Sequence, residues 1–197
     1  MPRFVALLRG VNVGKGNRVP MATWRGLLEA QGFADVTTLL NSGNAVFSGS
    51  DRPAEAHAVA IARSLHGALG LTVHAVVRTS ADFLAAVAGN PVELPDAEHP
   101  RFLGVFSQDP GRLHDLQPVV EPLVVPPERF AVGDHAAYLH CASGILESRA
   151  AVALLGNAGR NITTRNWATV LKLAALLQAG APRPTRGPPS AAGRVAH

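Results

Sequence analysis

Apolar and polar positions alternate along this chain in two distinct rhythms. Phe4-Val5-Ala6-Leu7-Leu8 is an unbroken apolar run that stops at Arg9-Gly10, which predicts a buried strand over residues 3–8. Met21, Trp24, Leu27, Leu28 and Gln31 then recur at helical spacing, with Pro20 suited to the first turn and Gly32 to the stop. Asp35 to Leu40 and Asn44 to Ser48 predict a pair of strands joined through the turn formers Asn41-Ser42-Gly43-Asn44. A second helix is expected over residues 54–69, from Ala54, Ala58, Ile61, Leu65 and Leu69, and a valine-rich strand over residues 72–78.

The order βαββαβ is that of a ferredoxin-like plait, with helices on one face of a four-stranded antiparallel sheet. The second half repeats the rhythm. A short helix near 80–88 and a Pro-rich acidic loop over 90–100 precede an expected strand at 101–107 and a helix at 110–120. A hairpin follows, 128–132 with 135–141 around Gly133-Asp134, and then a helix near 148–156, a strand at 161–164 and a final helix at 166–178. The fold class expected is therefore α+β, two tandem ferredoxin-like plaits plus a C-terminal helix. The domains are 1–79 and 80–180, followed by a disordered tail, 181–197, which has four prolines and no apolar periodicity.

Charge qualifies this picture. The chain carries a net +4, but three arginines of that lie in the tail. Residues 1–28 hold Arg3, Arg9, Lys15, Arg18 and Arg25 with no acid, whereas residues 79–147 sum to −7. Segregation of charge is better evidence of an anionic partner than global basicity. No apolar run approaches the roughly 20 residues of a membrane helix, and the first run is too short for a signal peptide. A cytoplasmic location is expected by default, in agreement with a single cysteine, Cys141.

Candidate chemistry concentrates in the loop Leu8-Arg9-Gly10-Val11-Asn12-Val13-Gly14-Lys15-Gly16-Asn17-Arg18, which has three glycines, three cations, two asparagines and no acid. Glycines let main-chain N–H groups converge on an anion while the cations supply charge. The loop is not a Walker site: three residues separate Gly10 from Gly14 where four are needed, and Gly16 stands where Ser or Thr would hold magnesium. None of the eight histidines has ligand spacing, so no metal and no cofactor are expected. No Gly-x-Ser-x-Gly elbow is present, and the catalytic residues, if any, are unknown. Two stretches remain: the Ser42 turn, rich in hydrogen-bonding groups, and Thr163-Thr164-Arg165-Asn166-Trp167, which sets a cation at the positive end of a helix dipole where an anion or a protein carboxylate would answer it.

These stretches also carry a resemblance. Residues 4–14, Pro20-Met21, the run Leu40 to Phe47 and the run Thr163 to Leu173 together resemble the bacterial family catalogued as domain of unknown function 1697. The resemblance implies a pair of small α/β plaits and brings no established activity. The chain departs from the family pattern around Lys15, Arg149 and Ala168, so Arg9, Asn12 and Arg165 carry the stronger expectation.

The first loop, the Ser42 turn and the Arg165 helix start are expected to converge on one cationic site between the plaits. Arg9, Arg18 and Arg165 would pair with phosphate or carboxylate oxygens, and Asn12, Asn17, Ser42, Asn44 and Asn166 would bind the rest of the ligand. A nucleotide or a short single-stranded nucleic acid is the ligand class favoured, because plait sheets can offer bases a flat face. Two alternatives stand beside it: an enzyme acting on a phosphorylated metabolite, and a structural role in which the motifs lock the plaits together. Oligomeric state and pathway are not readable from the sequence.

Overall fold

The computed structural model of the chain describes residues 1–14 and 16–180; Lys15 and the expected tail, 181–197, lie outside them. Two four-stranded antiparallel sheets and several helices make a mixed α+β architecture. In the first half, β1 (Arg3–Leu8), α1 (Met21–Ala30), β2 (Ala34–Leu39), β3 (Asn44–Ser48), α2 (Ala54–Leu69) and β4 (Ala75–Thr79) give a sheet of order β2-β3-β1-β4. After α3 (Ser80–Ala88), the second half places β5 (Phe102–Ser107), α4 (Gln117–Val120), β6 (Arg129–Val132), β7 (Ala137–His140), α5 (Arg149–Leu155) and β8 (Ile162–Asn166) in the order β6-β7-β5-β8. The chain then enters α6 (Trp167–Ala179).

Strand alternation divides each sheet between two cores. Phe4, Ala6 and Leu8 of β1 face α1 and α2 with Trp24, Leu28, Ile61 and Leu65. Val5 and Leu7 point the other way, into a cluster shared with Phe83 of α3, Phe102 and Phe106 of β5, and Trp167, Val170 and Leu173 of α6. Leu103 and Val105 turn to a third core under α4 and α5, with Leu113, Leu139 and Leu154. The layers therefore run helices, sheet, helices, sheet, helices. Each fully buried Leu or Phe contributes roughly 1.5–3 kcal/mol of transfer free energy, so the middle cluster is a strong bond between the sheets. Together with the two outer cores it buries both faces of β1, β3, β5 and β7.

Local departures from the sequence reading have identifiable causes. The helix expected over 110–120 is a 3-10 helix, Pro110–Leu116, followed by the single turn of α4 and a second 3-10 turn, Glu121–Leu123. Pro118 and Pro122 remove the N–H groups a continuous α-helix would need. The acidic loop contains another 3-10 helix, Asp96–Arg101. The strand expected to end at Thr164 continues through Asn166, so Arg165 is a strand residue and Asn166 is the N-cap of α6, its side chain accepting from the Thr169 N–H.

Candidate functional site

Arg165 pairs with Gly104 across β8 and β5, and its side chain crosses from the second sheet to the first. Its Nε–H donates to Asn44 Oδ1. Nη1 donates to Thr163 Oγ1 at 2.8 Å and to the Thr164 carbonyl at 2.7 Å, and Nη2 to the Leu8 carbonyl at 2.6 Å and the Ser42 carbonyl at 3.1 Å. All five guanidinium donors are thus matched by protein oxygens. Every one of those oxygens is neutral. With 9% of its surface exposed, the group is a buried cation that no described carboxylate answers, and burial pushes its pKa down to about 10. It stays charged at neutral pH.

The turn that receives Arg165 is fitted tightly. Asn44, fully buried, donates through Nδ2 to the Leu39 carbonyl at 3.0 Å and to Ser42 Oγ at 2.9 Å, which aims its Oδ1 at Arg165. Gly43 has φ +71°, and a Cβ there would come within 2.7 Å of Leu8 and Val11 side-chain atoms. Only glycine fits this approach of turn to strand.

Arg9 answers from the first half to the second. Its guanidinium donates to the carbonyls of Ile162 at 2.9 Å, Leu155 at 2.8 Å and Gly156 at 3.1 Å, the last two at the C-terminal end of α5. Two of its five N–H groups have no acceptor among the described residues. Beyond it, Asn12 (φ 56°) closes the loop on itself. Its Nδ2 donates to the carbonyls of Val19 at 2.8 Å and Asn41 at 3.0 Å, and its Oδ1 accepts from the Val19 N–H at 2.9 Å. Asn17 donates to the Gly10 carbonyl at 3.3 Å. Arg18 is exposed.

A cleft of about 480 Å³ opens between these elements. Arg9, Ser42, Arg165 and Asn166 line it, together with Thr163, Thr164 and Thr169 at the start of α6. Asn44 stands behind Arg165, and Asn12, Asn17 and Arg18 do not line the cleft. The rim is aliphatic: Val13 is 72% exposed, Leu40 53% and Leu155 44%. Leu40 also holds φ 57°, a strained backbone for a side chain of its size. Among the described residues no carboxylate, histidine or thiol lines the cleft. Beside it lies His74, whose carbonyl accepts from the Arg9 N–H. Burial first, and the Arg9 charge to a lesser extent, hold the His74 pKa below its ordinary 6.5.

One arginine lies outside the sequence expectations. Arg78 pairs with Val5 across β4 and β1 and crosses from the first sheet to the second, where Nη1 donates to the Ser107 carbonyl at 3.2 Å. It mirrors Arg165: each is the fourth residue of its half's last strand, each precedes a helix N-cap (Thr79 or Asn166), and each reaches the last carbonyl of the other half's first strand. The repeated pair of an arginine and a capping residue, Arg78-Thr79 and Arg165-Asn166, is the sequence signal for it.

Two sheets bolted through a shared helical layer, with a cationic cleft at the junction, define an α+β protein built from two similar halves. The chain belongs to the family described as "Protein of unknown function (DUF1697)", which matches residues 1–138. That span contains Arg9 and the Ser42 turn but stops short of Arg165. Among solved structures the chain is similar to "conserved bacterial protein SP0830 from Streptococcus pneumoniae", at 24% identity and a TM-score of 0.68, covering 89% of this chain and 98% of that one. This likeness is one of fold. No curated protein matches the chain. Among the described residues no helix is long and apolar enough to cross a membrane, and no group of three or more His, Cys, Asp or Glu could hold a metal ion.

Proposed function

We propose that the protein binds a phosphate-bearing small molecule of nucleotide size in the cleft between its two sheets. The observation that carries this reading is a cleft lined by two arginines and, among the described residues, no carboxylate. Arg9 offers the two unmatched N–H groups to phosphate oxygens, and Arg165 supplies a buried positive charge at short range. Asn166 and Thr169 bring the positive end of the 13-residue α6 to the same space. The aliphatic rim of Val13, Leu40 and Leu155 suits a flat apolar moiety such as a base, and about 480 Å³ falls within the usual range for small-ligand sites.

Both faces of the central strands are covered, which favours a free nucleotide over a single-stranded nucleic acid needing a platform for stacking. Among the described residues the lining hydroxyls of Ser42, Thr163, Thr164 and Thr169 have no carboxylate, histidine or thiol beside them in the cleft to act as base, which favours a binding protein over an enzyme. With it go three further parts of the proposal: each half is a ferredoxin-like plait, supported by the shared strand order; the halves divide into domains at 1–79 and 80–180; and the protein acts in the cytoplasm.

The test is a thermal-shift screen of the full chain against nucleoside monophosphates, sugar phosphates, inorganic phosphate and oligonucleotides, repeated with Arg9→Met. A nucleotide at 100 times its dissociation constant should stabilise by about 2.7 kcal/mol and raise the melting point by at least about 5 °C, and Arg9→Met should abolish the shift. Absence of any shift, or a response that grows with oligonucleotide length, would overturn the reading.

A further inference from the structure

Arg78 sits in a second cleft, of about 260 Å³, beside β4. Only 5% of its surface is exposed, yet one bond, to the Ser107 carbonyl, is all its guanidinium makes with the described residues. In the mirrored position Arg165 is saturated because the β2–β3 turn folds Ser42 and Asn44 onto it. The corresponding turn, between β6 and β7, brings Asp134 and His135 to the Arg78 cleft but bonds neither to the guanidinium. A nearly buried cation with unused donors calls for acceptors from whatever fills the space.

The same cleft also carries charge of the opposite sign, and Asp82 is close enough to act on the Arg78 charge. Asp82, in the first turn of α3, takes a hydrogen bond from Thr79 Oγ1 on Oδ2 at 2.7 Å, while its Oδ1 lies 3.7 Å from His135 Nδ1. That His135 nitrogen is buried without a hydrogen-bond partner. Asp134 adds a second carboxylate. Gln108, also in the lining, binds the Val77 N–H and carbonyl, at 2.8 and 3.1 Å, with its side-chain amide.

We infer that the Arg78 cleft binds a small amino acid, with the carboxylate on the Arg78 guanidinium and the ammonium group between Asp82 and Asp134. A guanidinium fork matches a carboxylate bidentately. The two acids favour a cationic nitrogen and disfavour a phosphate dianion, the reverse of the Arg9 cleft. The site is independent of the nucleotide reading, since none of its residues lines that cleft.

The test is an NMR titration of the full-length 15N-labelled protein with glycine, alanine and serine, against acetate, methylammonium and inorganic phosphate as controls. The amino acids should shift the Arg78 Nε–H and the Asp82 and His135 amides saturably, with affinity at least about tenfold above either acetate or methylammonium. Arg78→Gln should abolish the response. Asp134→Asn, at an exposed position, should weaken it several-fold and keeps the test informative should the first variant not fold. Water alone fills the cleft, and the inference fails, if no amino acid saturates by about 50 mM. It fails equally if acetate or phosphate binds as tightly, or if Asp134→Asn leaves the affinity unchanged.

Discussion

Arg165 and Arg78 stand at matching points of the two halves and cross the same gap in opposite directions, yet their surroundings differ in kind. Arg165 is held by five neutral oxygens, three of them from the other half: Asn44 Oδ1 and the carbonyls of Leu8 and Ser42. Among the described residues Arg78 meets one carbonyl, and it otherwise faces a cleft with carboxylates nearby. The difference teaches what a buried arginine is for. Where the protein supplies every acceptor, the side chain is a fastener that lends only its charge to a ligand. Where it supplies one, the remaining donors are recognition groups.

Substitutions should separate the two roles, most visibly at the fastener. Arg165→Met leaves three inter-half oxygens without donors and should cost about 3 kcal/mol, a fall in melting temperature of roughly 6–12 °C by calorimetry. Asn44→Leu strips the Arg165 Nε–H of its acceptor and removes the side-chain donor to the Leu39 carbonyl, for about 2 kcal/mol in urea unfolding. Arg78→Met gives up one 3.2 Å bond and should cost less than about 1 kcal/mol. Equal losses at Arg165 and Arg78 would break the comparison.

The smallest effect is a titration. His74 is held below its ordinary 6.5 by burial and, secondarily, by Arg9. Its neutral form therefore supports the folded state fully above about pH 6.5, and that support is lost as pH falls toward the depressed folded value. A phosphate on Arg9 would cancel part of the Arg9 field, so the His74 ring resonance should titrate at higher pH with nucleotide bound. An amino acid in the Arg78 cleft should leave it unmoved.

Much of the fold is written in apolar periodicity. Phe4 to Leu8 as β1, Ala54 to Leu69 as α2 and Asn44 to Ser48 as β3 agree with the sequence reading because each pattern is long or bounded by strong turn formers. Residues 110–120 do not, because Pro118 interrupts a helical pattern whose apolar spacing looks continuous. Arg9, Ser42, Arg165 and Asn166 line one cleft, whereas Asn12, Asn17, Arg18 and Asn44, expected beside them on the same ground of residue type, do not line it. Which arginine has donors left could not be read from residue type either. That depends on where Asn44 aims its amide, a consequence of tertiary packing 121 positions away in the chain. Arg78 lies at the end of the valine-rich strand expected over residues 72–78, where the apolar pattern predicts the strand and says nothing of a role for its cation.

The most direct measurement is hydrogen exchange of the arginine side chains in the ligand-free protein, followed by 15N NMR. Saturated donors should exchange slowly, and donors facing a cleft should exchange near the solvent rate. A protected Arg165 guanidinium is expected beside an Arg78 whose free N–H groups exchange fast and become protected when an amino acid is added. Equal protection of the two arginines before any ligand is present would contradict that expectation.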